Sequence, residues 1–230
     1  MELEDLKNER LKLGWSQTEA ALRLALSQPY LNMLEREKRR LTPALQRRFA
    51  LAYGLSPEAL PVSPAFAPTR RMSSEKLTWH LAKLDYPGFA YLRSHVERQN
   101  PAEILLSALA QPSLEARVAE ALPWLLLRYW QMDSEWLVEQ AKKFDLQNRL
   151  GFLAALSRLM SEKTSQFERT RVLSRLGAAL DRSRLAREDS FFRPPRNLAE
   201  KKWLLRHRST DAKHWNLLTD LRPEHLQYVA

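Results

Sequence analysis

Cysteine is absent from the 230 residues and glycine occurs only five times. Without thiols there are no disulfides, no thiolate metal sites and no cysteine nucleophile, which excludes a secreted, stapled scaffold and fits a reducing cytoplasm. So few glycines argue against a turn-rich all-β fold and leave no Gly-rich phosphate loop. Long apolar runs are lacking too: the longest, Ala121 to Leu127, stops at Arg128, far short of the roughly 20 residues a membrane span needs. Met1 opens into Glu2, Glu4 and Asp5, not a basic signal peptide. The five histidines, His80, His95, His207, His214 and His225, show no ligand spacing. The expectation is a soluble, cytoplasmic chain with no membrane partner, no metal, no cofactor and no catalytic constellation.

What is present is positive charge, a formal +10, with enough apolar content (44%) for one large core or two smaller ones. That balance makes a polyanion the first partner to consider. Residues 1–60 read as a tight series of five short helices. Leu3, Leu6, Leu11 and Leu13 lie along a first helix ending near Gly14. Ser16 and Glu19 form a capping box for a second, which has to stop by about Ala25 because Ser27 is a fresh N-cap and Pro29 suits only a first turn. A third runs from Gln28 to about Arg36; Thr42-Pro43 opens a fourth, Gly54 closes it, and Ser56-Pro57 begins a short fifth.

Pro61, Pro64 and Pro68 turn residues 61–72 into an extended linker. From 73 to 230 helices again dominate, with Asn-led caps at Asn100 and Asn197 and Asp133 and Asp145 as further N-cap candidates. Pro123 implies a kink or two helices meeting at Leu122. Phe191 to Arg196 reads as the clearest loop, separating a tail with Trp203 and Trp215. No convincing strand pair is visible. The expected fold is all-α, with helices between Pro101 and Met160 open to HEAT-like stacking. Arg158 to Arg187 holds eight Lys or Arg against three acids, and Arg193 to Arg208 six against one. Solvated faces are the plain reading; a second DNA surface or a dock for an acidic protein are the sharper ones.

The second and third helices, Ser16 to Glu35, have helix-turn-helix layout: Ala21, Leu24, Leu26, Leu31 and Leu34 form a buried side, and Gln28, Asn32 and Met33, with Tyr30 beside them, an exposed one. Ser16-Gln17-Thr18-Glu19, Ser27-Gln28-Pro29-Tyr30-Leu31, Glu35-Arg36 with Lys38-Arg39, and Leu51-Ala52-Tyr53-Gly54-Leu55-Ser56 stand in an order that resembles the Cro and phage-repressor class, the XRE family. The resemblance implies a lambda-repressor-like domain with a recognition helix in the major groove of operator DNA. It implies that Gln17 holds a phosphate and braces Gln28, that Gln28, Asn32 and Met33 face base edges, and that Ser27 and Tyr30 belong to the same surface. Arg36, Lys38, Arg39 and Arg40 would meet phosphates. Ala25 and Glu37 stand where that family commonly has glycine. The family geometry also implies a homodimer on a palindrome.

A second resemblance covers the remainder. The small DNA-binding domain, the Pro-rich connector, the segments Asp145-Leu-Gln-Asn-Arg-Leu-Gly151 and Lys213-His-Trp-Asn-Leu-Leu-Thr-Asp220, and the helical extension look like regulators paired with nucleotidyltransferase toxins. It implies an antitoxin that represses its shared promoter and masks a toxin protein through the helical domain. A ligand-sensing repressor, or an antitoxin acting by masking alone, stays open beside it.

Overall fold

The structure, a computed structural model, describes residues 3–68 and 72–226; residues 1–2, 69–71 and 227–230 and the side chains of Leu3, Glu4 and Asp5 lie outside the described residues. The chain divides into two compact units, residues 1–65 and 66–230. The first holds α1 (Leu3–Lys12), α2 (Gln17–Arg23), α3 (Gln28–Glu35) and α4 (Pro43–Ala52), then a single 3-10 turn, Pro57–Ala59. Side-chain hydroxyls start three of them: Ser16, Ser27 and Thr42 accept the backbone N–H groups of Glu19, Tyr30 and Leu45 at 3.1, 3.4 and 3.3 Å. The box at Ser16 is half formed, because the Glu19 carboxylate turns to Arg23 one turn ahead and does not reach back.

All four helices end alike. The residue after the C-cap turns left-handed and the next N–H closes on the carbonyl five back: Trp15 on Arg10, Leu26 on Ala21, Lys38 on Met33, Leu55 on Ala50. Two of these positions are Gly14 and Gly54, at φ 70° and 64°; the other two are Ala25 and Glu37, at 48° and 58°. An L side chain there costs roughly 1 kcal/mol. The core is Leu6, Ala20, Ala21, Leu24, Leu31, Leu34, Phe49 and Tyr53, with Trp15, Leu26, Leu45 and Leu55 packed against it. Fully burying each of its leucines contributes roughly 2 kcal/mol. Leu11 and Leu13 do not join them and are exposed. Leu11 lies about 140° around the helix from Leu6, so the inward stripe of α1 continues to Arg10 instead.

The second unit comprises α5 (Ser74–Lys83), α6 (Pro101–Leu109), α7 (Ala116–Arg128), α8 (Ser134–Lys143), α9 (Gln147–Lys163), α10 (Phe167–Asp181), α11 (Leu198–His207) and α12 (Thr210–His214). Asn100, Asp133 and Asn197 cap α6, α8 and α11 as their sequences suggest. Helix α9 runs through the middle with Leu150, Phe152, Leu153, Leu156 and Met160 all buried, flanked by α7 and α10. Pro123 neither splits nor ends α7, which continues to Arg128. The Pro123 carbonyl takes the Ser157 hydroxyl of α9 at 3.3 Å.

Three other expectations are corrected. Asp145 caps no helix: it is left-handed at φ 59°, closing α8, and its carboxylate faces Arg187 at 3.3 Å. A strand pair does exist, β1 (Asp189–Ser190) parallel to β2 (Leu217–Leu218), two residues each. Nor is the tail separate. Asn148 and Asn216 both donate to the Leu185 carbonyl, at 2.9 and 2.8 Å, and Arg149 grips the Asp189 carboxylate with two nitrogens at 2.8 and 3.0 Å. Trp215 lies so close on Gly151 that a Cβ there would overlap its ring. The segments 145–151 and 213–220 therefore meet each other, and their residues have a packing role inside the unit.

Ala25→Gly removes a left-handed side chain without touching the core, so the first unit should gain about 0.5 to 1 kcal/mol in denaturant unfolding; an unchanged midpoint would mean the turn carries no strain. His80 of α5 is buried and its imidazole is held below its usual range, first by desolvation and then by Lys76. The unfolded chain takes up this proton below about pH 6.5 while the folded one resists it, so stability present above that pH is lost on acidification. The unfolding midpoint should drop between about pH 7.5 and 5.5, and drop less in His80→Gln.

Candidate nucleic-acid interface

Helices α1 and α3 each turn one charged residue inward. Arg10 follows Leu6 by four on α1, and Glu35 follows Leu31 by four on α3, so both stand on apolar stripes. They pair with two nitrogens on two oxygens, at 2.6 and 3.0 Å, and are 6% and 9% exposed. The third donor of Arg10 caps the carbonyl of Trp15 at 2.8 Å. The Glu35 contact raises the Arg10 pKa further, and Tyr53 beside the pair is pushed up to about 12 by burial and by the Glu35 charge.

From Glu35 the bonding runs outward. Gln17 at the start of α2 donates its amide to Glu35 Oε2 at 2.8 Å, and Gln28 at the start of α3 donates to Gln17 Oε1 at 2.8 Å. A carboxylate only accepts, so it dictates which end of the Gln17 amide turns inward. The outward Gln17 oxygen in turn demands a donor from Gln28. The Gln28 carbonyl oxygen and its second N–H are left uncommitted among the described residues, a donor beside an acceptor in fixed orientation. Gln17 spends its oxygen and one N–H inside this chain, so its remaining N–H and the open backbone donors of the α2 first turn are what it can offer an anion.

The other residues singled out in the sequence fall on one side of the same helix or directly after it. Ser27 is exposed and serves as the N-cap of α3. Asn32 and Met33 are half-buried on the α3 surface, and Tyr30, also half-buried, leans on the core. Arg36, Lys38, Arg39 and Arg40 are all exposed, with Glu37 among them, and none forms an ion pair among the described residues. Glu35 entered the sequence motif only as the neighbour of Arg36, and neither its burial nor its pairing with Arg10 was anticipated. The available signal was a charge at an i+4 position of an apolar stripe on each of two helices.

Two short helices joined by a tight turn, their leading glutamines bonded amide to amide and the second helix followed by exposed cations, have the form of a helix-turn-helix DNA-binding domain. The Helix-turn-helix family model matches residues 6–60, which lie within the first unit, and the domain is of the XRE type. The chain is accordingly a DNA-binding transcriptional regulator, all-α in fold. No curated protein and no solved structure matches it. Among the described residues no helix is long and apolar enough to cross a membrane, and no group of three or more potential ligands is placed to hold a metal ion.

Arg10→Ala strands a buried carboxylate and should destabilise the first unit by about 3 to 5 kcal/mol, a large share of what a domain of this size has. Arg10→Met combined with Glu35→Leu should restore much of the unfolding midpoint yet leave Gln17 and Gln28 without their orienting charge. A double variant that is folded but keeps full sequence preference on DNA would show that the pair serves stability alone.

Proposed function

We propose that the chain is a sequence-specific repressor that reads operator DNA with Gln28 at the front of α3. The observation that carries this reading is the bonded row Arg10, Glu35, Gln17, Gln28, which ends in an oriented donor and acceptor of the kind that pairs with adenine N6 and N7. Asn32 and Met33 extend the reading surface, Met33 through apolar contact such as a thymine methyl, and Tyr30 flanks it. Arg36, Lys38, Arg39 and Arg40 hold phosphates and set position without reading sequence. Two copies bind a palindrome with half-sites about 34 Å apart.

The helical second unit serves protein contact, in the reading that makes this repressor the antitoxin of a toxin-antitoxin operon. The support is the resemblance of segments 145–151 and 213–220 to such regulators, and those segments form the junction of α9 with the tail. One observation favours a ligand-sensing repressor as the second reading: a cavity of about 340 Å³ at that junction, lined by Arg158, Ser174, Gly177, Asp181, His214 and Trp215. A small molecule that shifts duplex affinity selects this reading; co-purification of a toxin protein selects the first.

With duplexes enriched by the chain from a random pool, Gln28→Ala should lose about 1 to 3 kcal/mol of preference and keep its salt slope. Arg39→Ala should keep the preference and flatten the slope of log K against log salt by about 0.9. Identical behaviour of the two variants contradicts this division of roles.

A further inference from the structure

The cationic excess of the chain is not where its DNA-binding domain is. Residues 1–65 carry ten Lys or Arg against eight Asp or Glu, while residues 66–230 carry twenty-seven against nineteen. Phosphate neutralisation supplies most of the sequence-independent affinity of a protein for a duplex, so cations outside the reading domain can add to the term that Arg36, Lys38, Arg39 and Arg40 begin.

Helix α10 concentrates the excess on one side. Leu173, Leu176 and Leu180 face the core, and the opposite side presents Arg171, Arg175 and Arg182, all exposed, with Phe167 81% exposed at its front end. Arg171 and Arg175 are one turn apart and Arg182 two turns further, a row of about 16 Å on the helix axis. None of the three is paired with a carboxylate among the described residues. Of the acids of α10, Asp181 is held by His214 at 2.8 Å and by Arg184 at 3.8 Å, and Glu168 stands exposed on the row's own side, one turn before Arg171. Glu135 and Glu139 of α8 line the groove that Arg175 borders, with Lys142 one turn beyond Glu139 and no ion pair to Arg175. The cations of α10 are all arginines, the weakly hydrated, forked donors suited to phosphate oxygens.

We propose that this arginine row is a second backbone-binding site, gripping phosphates of the same duplex that the first unit reads. The site is built for an anion repeated along a rod: along each strand a duplex offers one phosphate per about 3.4 Å of axis, so a row of this length runs past several. Because both units belong to one chain, a duplex held by one is available to the other at high effective concentration. The inference rests on the DNA-binding reading given above and adds to it a contact that carries no sequence information.

The test uses the full chain and a mixed-sequence duplex titrated over a range of salt. Replacing Arg171, Arg175 and Arg182 together by Ala should flatten the slope of log K against log salt by about 2 to 3. The preference for enriched over mixed-sequence DNA should stay unchanged, and so should the melting profile, because all three side chains are in solvent. The triple Arg→Lys variant should keep most of the slope. A slope that stays at the wild-type value in the Ala variant overturns the proposal and leaves the reading domain intact. The same result together with lost retention on immobilised poly-glutamate assigns the row to an acidic protein partner. A wild-type chain that binds no duplex overturns both readings.

Discussion

A carboxylate taken out of water has to find its counter-charge and its donors inside the protein, and Glu35 finds both. Arg10 supplies the charge and two N–H groups, and Gln17 supplies a third donor. The pair ties α1 to α3 across the core. Desolvation and attraction roughly cancel in such pairs, so its net worth lies less in stability than in what it forbids. With Glu35 in place, neither glutamine amide can reverse without setting oxygen against oxygen. A charge buried in the core thus decides the orientation of a side chain at the surface.

A second constraint is conformational. The chain ends helix after helix with a left-handed residue, yet fills most of these positions with Ala25, Glu37, Asp85, Asp145, Ser165 and Asn216 instead of glycine. Scarcity of glycine therefore did not mean scarcity of glycine-like turns. Gly14 and Gly54 hold two such positions, and a third glycine answers a different demand. Gly151 is required by volume, since Trp215 occupies the space of any side chain there, and through that contact the tail closes on α9.

Much of the first unit was legible in the residues: hydroxyl caps, prolines at first turns and two C-terminal glycines are local signals, each satisfied within four residues of itself. The same logic identified the caps at Asn100, Asp133 and Asn197. It failed at Asp145, where an aspartate that ends one helix looks in sequence like one that starts the next, and at Leu11 and Leu13, where apolar identity outweighed the helical angle. Gln17 and Gln28 were named as neighbours through a resemblance, and Glu35 belonged to the same motif, but only its place on an apolar stripe marked it as the buried group that aligns them.

What the sequence by itself determined is the helical class, the helix boundaries of the first unit and its helix-turn-helix layout, because caps, periodicity and proline act over one or two turns. Tertiary structure alone decided that Arg10 meets Glu35 across 25 positions, that β1 finds β2, and that Trp215 comes to rest on Gly151. Each is a contact between groups far apart along the chain. The partner is chosen by burial and by unsatisfied hydrogen-bonding capacity, and neither exists until the helices have packed.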